Sequence, residues 1–154
     1  MSENKTSSDT VMISGGFDPL HIGHLRMIKG ASKYGKLIVV INSDDWLQRK
    51  KGYSFMSWED RKEMIEGYAE VWKVVPVDDA DGTVCDALQS YRPTYFANGG
   101  DRVSTNTPEK LLCDNLGIEM LWNIGGDKIR SSSTLVEQAG EEVTDFRSYL
   151  RRAK

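Results

Sequence analysis

The sequence has no long apolar run and only two cysteines, and these absences exclude several classes of protein. Its longest apolar run, Leu37–Ile41, is far shorter than the roughly 18 residues that a transmembrane helix needs. The amino-terminal residues MSENKTSSDT contain no apolar region typical of a secretory signal. Cys85 and Cys113 lie far apart and form no CxxC motif, which indicates two reduced, buried thiols without a chemical role. We therefore expect a cytoplasmic protein with no membrane partner.

The chain also lacks an excess of basic residues. Its 154 residues include 20 Lys or Arg and 23 Asp or Glu, so its formal net charge is −3. A duplex nucleic acid would favour a basic face, so no nucleic-acid partner is expected. Hydrophobic residues make up 39% and charged residues 28%, a balance typical of a globular domain and not of a disordered or fibrous chain.

Five short apolar runs alternate with stretches of helical pattern. Their near-continuous apolarity is typical of strands buried on both faces of a parallel sheet. The predicted strands are Val11–Ser14, Lys36–Asn42, Trp72–Val77, Pro93–Ala97 and Ile118–Ile124. Strands separated by helices imply right-handed βαβ crossovers. The sequence therefore predicts a Rossmann-like α/β fold, a doubly wound five-stranded parallel sheet, in a single domain over residues 10–154 after a flexible tail over residues 1–9.

Capping signals predict where the helices begin and end. Capping boxes are expected at Ser57 with Asp60 and at Thr83 with Asp86. The basic stretch Leu47–Met56 has weak periodicity and is predicted to be a mobile loop. The predicted helices are Trp58–Val71, Val84–Tyr91, a helix from Pro108 after an N-cap at Thr107 to a stop at Gly117, Ser131–Gln138 and Thr144–Arg152.

The turn after the first predicted strand carries the only two histidines of the chain. In the run GGFDPLHIGH over residues 15–24, glycines allow a tight turn and the close approach of a ligand. His21 and His24 lie three residues apart at a helix start, where they share a face and where backbone N–H groups favour anions. Gly23 leaves room for a phosphate chain. Because ligands bind beyond the carboxyl ends of parallel strands, the turn predicts a site for a phosphoryl group.

Two other interpretations of the histidines are less well supported. A metal pair is conceivable, but no third His or Cys ligand is evident in the sequence. Incidental surface residues would not be expected to fall together in one glycine-rich turn. The segment contains neither a G-x-G-x-x-G fingerprint nor a Walker A motif.

The run GFDPLHIGH resembles the HxGH signature of the nucleotidyltransferase superfamily, in its cytidylyltransferase-like branch. Three further segments resemble that branch in the same order. They are Lys51-Gly52 with the helix start at Ser57–Lys62, the GGD turn at Asn98–Arg102, and the serine-threonine element at Arg130–Thr134. The resemblance covers roughly residues 11–137. By pattern it is nearest to glycerol-3-phosphate cytidylyltransferase and to the heptose-1-phosphate adenylyltransferase domain.

The resemblance implies transfer of CMP or AMP from CTP or ATP to a phosphorylated sugar or polyol, with release of pyrophosphate. Catalysis would then consist of positioning and charge neutralisation, since no covalent enzyme intermediate is implied. Mg²⁺ would arrive with the triphosphate and not occupy an all-protein site. Relatives are often homodimers, and an exposed aromatic patch near Lys51 could mate with a second copy. The residues of this patch would be Trp46, Tyr53, Phe55 and Trp58.

The resemblance also implies roles for individual residues. His21 and His24 would donate hydrogen bonds to the triphosphate and α-phosphoryl oxygens. Lys51, or Lys50 in another register, would contact the α-phosphate and the acceptor phosphate. Arg61 would reach a phosphate or support a subunit contact. The implied nucleotide-binding residues are Gly15, Gly16, Phe17, Asp18, Gly23, Asp101, Arg130, Ser131, Ser132 and Ser133.

The chain departs from the family pattern at two places. After the GGD turn, Arg102 stands where glycerol-phosphate enzymes carry a tryptophan. Relatives that act on glycerol phosphate or choline phosphate carry Arg-Thr-Glu-Gly before the serine-threonine element, whereas this chain has Gly126-Asp127-Lys128-Ile129. Lys128 or Arg130 could replace the missing cation. The sequence does not decide between CTP and ATP. It does not identify the acceptor either. The alternative is a non-catalytic nucleotide- or phospholigand-binding module on the same fold.

Overall fold

A computed structural model of the protein describes residues 8–99 and 107–126. The strands are β1 (Thr10–Gly15), β2 (Lys36–Ile41), β3 (Val71–Val75), β4 (Tyr95–Ala97) and β5 (Glu119–Leu121). The helices are α1 (Ile22–Ala31), α2 (Asp44–Lys51), α3 (Trp58–Glu66), α4 (Cys85–Tyr91) and α5 (Pro108–Leu116), with a 3₁₀ turn over Ser32–Tyr34 after α1. No helix in this described part is long and apolar enough to cross a membrane.

The strands form one parallel sheet in the order β3-β2-β1-β4-β5. Strand β1 therefore lies in the middle of the sheet. Strands β2 and β3 follow on one side of it, and β4 and β5 lie on the other side. The strand order reverses between β1 and β4, and ligands of such sheets bind beyond the carboxyl ends of the strands at this reversal. The predicted Rossmann-like α/β fold is confirmed.

Alternate residues of the central strands point to two separate layers. Val11 of β1 packs with Ile28 of α1 and Ile65 of α3 on one face of the sheet. Met12 faces the other side and packs in a cluster with Leu88 of α4. These side chains are almost completely buried, and each contributes about 1.5–3 kcal/mol through removal of apolar surface from water. Burial on both faces explains why the strands have near-continuous apolar runs.

Several predicted helix ends are confirmed. The Ser57 hydroxyl accepts a hydrogen bond from the Asp60 amide and caps α3. Thr107 caps α5 in the same way, and Gly117 ends that helix with φ +73°. The predicted strand Ile118–Ile124 is shortened to β5. The two predicted helices after residue 130 lie outside the described residues.

The prediction of a mobile loop over Leu47–Met56 is wrong for its first half. Helix α2 includes Lys51, begins after the N-cap Ser43 and ends at Gly52, whose φ of +84° suits a glycine. Leu47 is the single buried residue of this eight-residue helix, so its apolar periodicity is too short to be detected.

Two other helix bounds differ from the prediction. Helix α3 ends at Glu66, and Val71, which was assigned to that helix, begins β3. The capping box predicted at Thr83 is not formed. Its hydroxyl accepts from the Cys85 amide, and the Asp86 carboxylate accepts from the backbone of the preceding loop. Helix α4 therefore begins at Cys85 without a side-chain cap.

Both cysteines are free thiols, as the sequence predicts. Cys113 is buried between α5 and the sheet, and burial raises its pKa to about 11. Cys85 is half-buried, and burial also raises the pKa of its thiol. A raised pKa keeps a thiol protonated near neutral pH, where it is a poor nucleophile.

Strand β3 lies at one edge of the sheet and contains a bulge. Leu37 pairs with Val71 and Ile38 pairs with Lys73, so Trp72 is an extra residue in the ladder. The Trp72 side chain is exposed. The Nζ atoms of Lys73 and of the first lysine of β2 lie 4.4 and 5.0 Å from the centroid of its ring. The bulge lies near the start of β3, at the end of the sheet opposite the histidine turn.

Candidate functional site

The turn from β1 to α1 contains a residue in an unusual backbone conformation. Phe17 has φ +53°, in the left-handed region, which costs a non-glycine residue about 1–2 kcal/mol. Its ring is buried in the core and lies 4.9 Å from the His24 ring, measured between centroids. Outliers of this kind cluster at functional sites, because the surrounding packing must hold them in place.

The two histidines cap helix α1. Nδ1 of His21 accepts a hydrogen bond from the Gly23 amide at 3.1 Å, and Nδ1 of His24 accepts from the His21 amide at 3.2 Å. The two rings stack with their centroids 3.9 Å apart. Because each Nδ1 accepts a hydrogen bond, each neutral ring carries its proton on Nε2. The caps therefore fix the ring positions and make Nε2–H the donor of each ring.

The start of α1 also differs in charge from the other helix starts. Its first turn contains no acidic residue, whereas each of the other four described α-helices carries Asp or Glu there. Acidic side chains at a helix N-terminus compensate the positive end of the helix dipole. Without such an acid in its first turn, the α1 N-terminus is suited to face an anion such as a phosphoryl group.

Two glycines of this turn are required by close side-chain contacts. A Cβ atom on Gly23 would lie 2.9 Å from Cε1 of His21, so the absence of a side chain makes room for the imidazole. A Cβ atom on Gly16 would lie 2.8 Å from Cδ2 of Leu47, where α2 packs against the turn. In the structure, the room left at Gly23 is thus taken by the His21 ring.

Asp18 joins the histidine turn to the loop over residues 52–57. Its side chain is completely buried. Its Oδ2 accepts from the Phe55 amide at 2.6 Å, and its Oδ1 accepts from the Met56 amide at 2.7 Å. A buried carboxylate needs such donors, because removing its charge from water is costly.

Of the two candidate lysines, Lys51 lies against the histidine turn. Its Nζ donates to the backbone oxygen of Asp18 at 2.8 Å and lies 3.9 Å from Oδ2 of the same residue. The Lys51 side chain is only 12% exposed, and this burial lowers its pKa, although the Asp18 carboxylate opposes the shift. Lys50 is exposed and lies over the Trp46 ring, 4.6 Å from its centroid.

Arg61 is completely buried and connects four parts of the site. Its Nη1 donates to the backbone oxygens of Gly16 at 2.7 Å and Asn42 at 2.9 Å. Its Nε donates to the backbone oxygen of Met56, and its Nη2 pairs with the Asp44 carboxylate at 2.6 Å. This placement gives Arg61 a positioning role. It does not support the expected phosphate or subunit contact, because the side chain has no exposed surface.

A second buried carboxylate, Asp79, was missed by the sequence analysis. It accepts from the Ser43 amide and hydroxyl at 2.9 and 2.7 Å and from the Asn42 side chain at 3.0 Å. Burial raises the pKa of Asp79, but these hydrogen bonds outweigh it, so the pKa lies below its usual value. Asp79 stands in an irregular loop after β3, and no sequence pattern marks it as more than a surface acid.

The segments after β4 and β5 come together at the same end of the sheet. The Asn98 side chain donates to the Leu121 backbone oxygen at 3.1 Å, and its own backbone oxygen accepts from the Ile124 amide. A Cβ atom on Gly125 would lie 2.9 Å from the Met27 amide nitrogen, so this segment passes against α1. The predicted site residues Asp101, Lys128, Arg130, Ser131, Ser132 and Ser133 lie outside the described residues.

The exposed aromatic patch expected near Lys51 is not formed. Phe55 is 63% exposed, but Trp46, Tyr53 and Trp58 are half-buried. The Trp58 indole donates to the Ile41 backbone oxygen at 3.1 Å and packs on the core. Of the four aromatic residues, Phe55 is thus well exposed and Trp58 stabilises the local fold.

Within residues 8–99 and 107–126, no group of three or more His, Cys, Asp or Glu side chains is arranged to hold a metal ion. The described part of the site therefore offers hydrogen-bond donors and a cation for phosphate oxygens, and no ready-made metal cage.

Comparison with known proteins gives a matching family and several similar proteins. The sequence model of the family described as cytidylyltransferase-like matches residues 12–148. The bifunctional protein HldE of Haemophilus influenzae (strain PittGG) is 35% identical over 120 residues, which cover 76% of this chain and 23% of the relative. HldE of Syntrophotalea carbinolica is 28% identical over 141 residues, 88% of this chain and 28% of the relative. The chain thus spans about a quarter of the length of these relatives.

A solved structure has the same fold. The lipopolysaccharide core biosynthesis protein from Thermoplasma volcanium GSS1 matches with a TM-score of 0.66 and 22% sequence identity, covering 78% of this chain and 98% of that protein.

Proposed function

The chain belongs to the cytidylyltransferase-like family, and from this premise we propose that it is a nucleotidyltransferase that acts on a phosphorylated sugar or polyol. The observation that carries the proposal is the pair of histidine caps at the acid-free N-terminus of α1. This arrangement presents two donors and a positive helix end at the strand-order reversal, where a triphosphate would bind.

In the proposed reaction, an oxygen of the acceptor phosphate attacks the α-phosphorus of CTP or ATP. The bond from the α-phosphorus to the bridging oxygen breaks, and pyrophosphate leaves with that electron pair. His21 and His24 would donate from Nε2 to phosphoryl oxygens as their charge increases, and Lys51 would add a positive charge near the α-phosphate. Alignment of the two substrates supplies about 7–11 kcal/mol of the barrier reduction in well-oriented reactions.

We propose that Mg²⁺ enters with the triphosphate and neutralises part of its charge. The remaining nucleotide contacts are proposed for Gly15, Gly16, Phe17 and Gly23 in the histidine turn, whereas the buried Asp18 carboxylate is bound to two loop amides. Outside the described residues, Asp101, Arg130 and Ser131–Ser133 are the proposed contacts, with Lys128 as a further cation. Relatedness to HldE, together with the resemblance to the heptose-1-phosphate adenylyltransferase domain, favours a sugar phosphate as the acceptor.

A cytoplasmic homodimer is the proposed state of the protein in the cell. This rests on the family resemblance, since the aromatic patch expected for it is not formed. Light scattering of the purified chain at micromolar concentration tests it, and a mass of one chain would contradict it.

The function is tested by measuring pyrophosphate release with CTP or ATP, Mg²⁺ and a panel of sugar and polyol phosphates. We expect one nucleotide and one acceptor to give turnover. His24→Gln should reduce it about 10²-fold or more, because Gln at this helix position keeps a capping acceptor but removes the imidazole. Ser43→Ala, at the start of α2, serves as the control variant.

The alternative of a non-catalytic binding module makes a different prediction. It would give nucleotide binding by calorimetry without pyrophosphate release under any acceptor. Turnover that disappears in His24→Gln but not in Ser43→Ala would exclude the module.

A further inference from the structure

One residue, Asp18, holds both ends of the segment that contains Lys51. Its backbone oxygen accepts from Lys51 Nζ at 2.8 Å, and its carboxylate accepts from the Phe55 and Met56 amides. These partners are 33 to 38 residues away in the chain, so the contact exists only in the folded protein. Asp18 itself lies three residues before His21, in the turn that positions the histidines.

The loop over residues 52–57 is held from its other side as well. The Met56 backbone oxygen accepts from Nε of Arg61 at 3.2 Å and from the Ser54 hydroxyl at 3.0 Å. The amides of the loop are thus bound by a carboxylate of the histidine turn, and its carbonyl is bound by a buried guanidinium. Because these hydrogen bonds fix the loop on two sides, Lys51, which directly precedes the loop, also has a defined position.

We propose that Asp18 is a positioning residue that fixes Lys51 beside the histidine pair, and that it contributes to nucleotidyl transfer through this lysine. The inference rests on the proposed function. A lysine side chain has four rotatable bonds, so an unheld ammonium group would have to be ordered during the reaction. Because Asp18 binds the segment that contains Lys51, the ammonium group is already in place before the substrates bind.

Asp79 provides a matched control for Asp18. It is also a buried carboxylate that accepts backbone and side-chain hydrogen bonds just beyond the carboxyl edge of the sheet. Its donors are Asn42 and Ser43, which position the start of α2. It makes no described ion pair with a lysine. Both carboxylates therefore contribute to local structure, but only Asp18 is placed to act through Lys51.

The test is a double-mutant cycle on kcat and KM for pyrophosphate release. Asp18→Asn should lower kcat about 10- to 100-fold in the wild-type background, since its amide group cannot accept from both loop amides. In the Lys51→Met background, the same substitution should change kcat less than about twofold. Asp79→Asn should change kcat by the same factor in both backgrounds.

Equal losses for Asp18→Asn in the two backgrounds would overturn the proposal, because Asp18 would then act on the fold alone. If Asp18→Asn does not fold, Ser54→Ala replaces it, since this variant loosens the same loop at a partly exposed site. Its loss of kcat should vanish in the Lys51→Met background. A Ser54→Ala variant with unchanged kcat, or with a loss that persists without Lys51, would also overturn the proposal.

The failure of the positioning role differs from failure of the proposed function. Additive losses in an active wild-type enzyme overturn the role of Asp18 and leave the function intact. A wild-type protein that binds neither CTP nor ATP and releases no pyrophosphate overturns the function and the role together.

Discussion

Two neighbouring junctions at the carboxyl edge of the sheet are built to the same plan with different residues. In each, a central strand leads into a capped helix, and a buried carboxylate accepts backbone N–H groups nearby. At the β2–α2 junction the cap is Ser43, and Asp44 and Asp45 follow in the first turn. At the β1–α1 junction the cap is His21, and no acid follows.

The two junctions differ in how their helix starts are compensated. In α2, the serine hydroxyl satisfies the helix start and the two acids compensate the helix dipole, so the junction is electrostatically complete. In α1, the Nδ1 atoms of the two histidines form the caps, and the first turn of the helix contains no acidic residue. An acid at a helix N-terminus stabilises a protein by about 0.3–1 kcal/mol, which α1 forgoes. This absence of acids supports the proposed binding of an anionic substrate at α1.

The largest expected effect comes from giving the β1–α1 junction the type of cap found at the β2–α2 junction. His21→Ser supplies a favoured N-cap but no imidazole, so kcat/KM should fall about 10²-fold or more while Tm stays the same or rises. Steady-state kinetics and calorimetry check the two halves of the prediction. Retention of full activity would show that the histidine is present only as a cap.

Gly23→Ala tests whether turnover depends on the position of the His21 ring. The added Cβ would lie 2.9 Å from Cε1 of His21, so the imidazole must move. We expect kcat to fall about tenfold or more. The free energy of unfolding should change by less than about 1 kcal/mol, because the higher helix propensity of Ala is offset by the loss of the His21 cap on the residue 23 amide. Kinetics and urea unfolding measure both quantities, and an unchanged kcat would mean that the ring position is not critical.

Lys51 connects the two junctions, since it ends α2 and reaches back to Asp18. Because burial lowers its pKa, the ammonium group should lose its proton below the usual value of 10.5. The rate should therefore decline as the pH rises through that lowered pKa. Lys51→Arg, whose charge persists at higher pH, should move the decline upward. A pH–rate profile that is the same in both proteins would assign the decline to another group.

The smallest effect on activity is expected at the β2–α2 junction. Ser43→Ala removes the cap of α2 and a hydrogen bond to Asp79, so the free energy of unfolding should fall by about 1 kcal/mol. Turnover should stay within about twofold of the wild type. Urea unfolding and kinetics provide the measurements. A large loss of turnover would show that the two junctions are not divided between stability and function.

The sequence predicts the sheet well because strands buried on both faces need near-continuous runs of apolar residues. The apolar run of β2 and the turn with His21 and His24 are local features, and both could be identified without the structure. Helix α2 could not, because one buried residue, Leu47, gives no periodicity. Only the cap signal at Ser43, followed by two acids, could have indicated it.

The contacts that organise the site are of a kind that sequence does not show. Asp18 accepts hydrogen bonds from backbone amides, and every residue except proline has such an amide, so the identities of Phe55 and Met56 carry no signal. Arg61 was predicted to face a ligand or a partner, but four backbone and carboxylate oxygens bury it. The assigned roles of the histidines and Lys51 stay predictions until kinetics test them.

The bulge at Trp72 has a consequence for how the molecule meets its own copies. A flat edge strand exposes a row of unpaired amides and carbonyls that can join the edge of another molecule and start aggregation. The extra residue distorts this row in β3, and the lysines packed on the indole put positive charges at the same edge. The sheet can therefore end at β3 without recruiting a sixth strand from a neighbour, which favours solubility in a crowded solution.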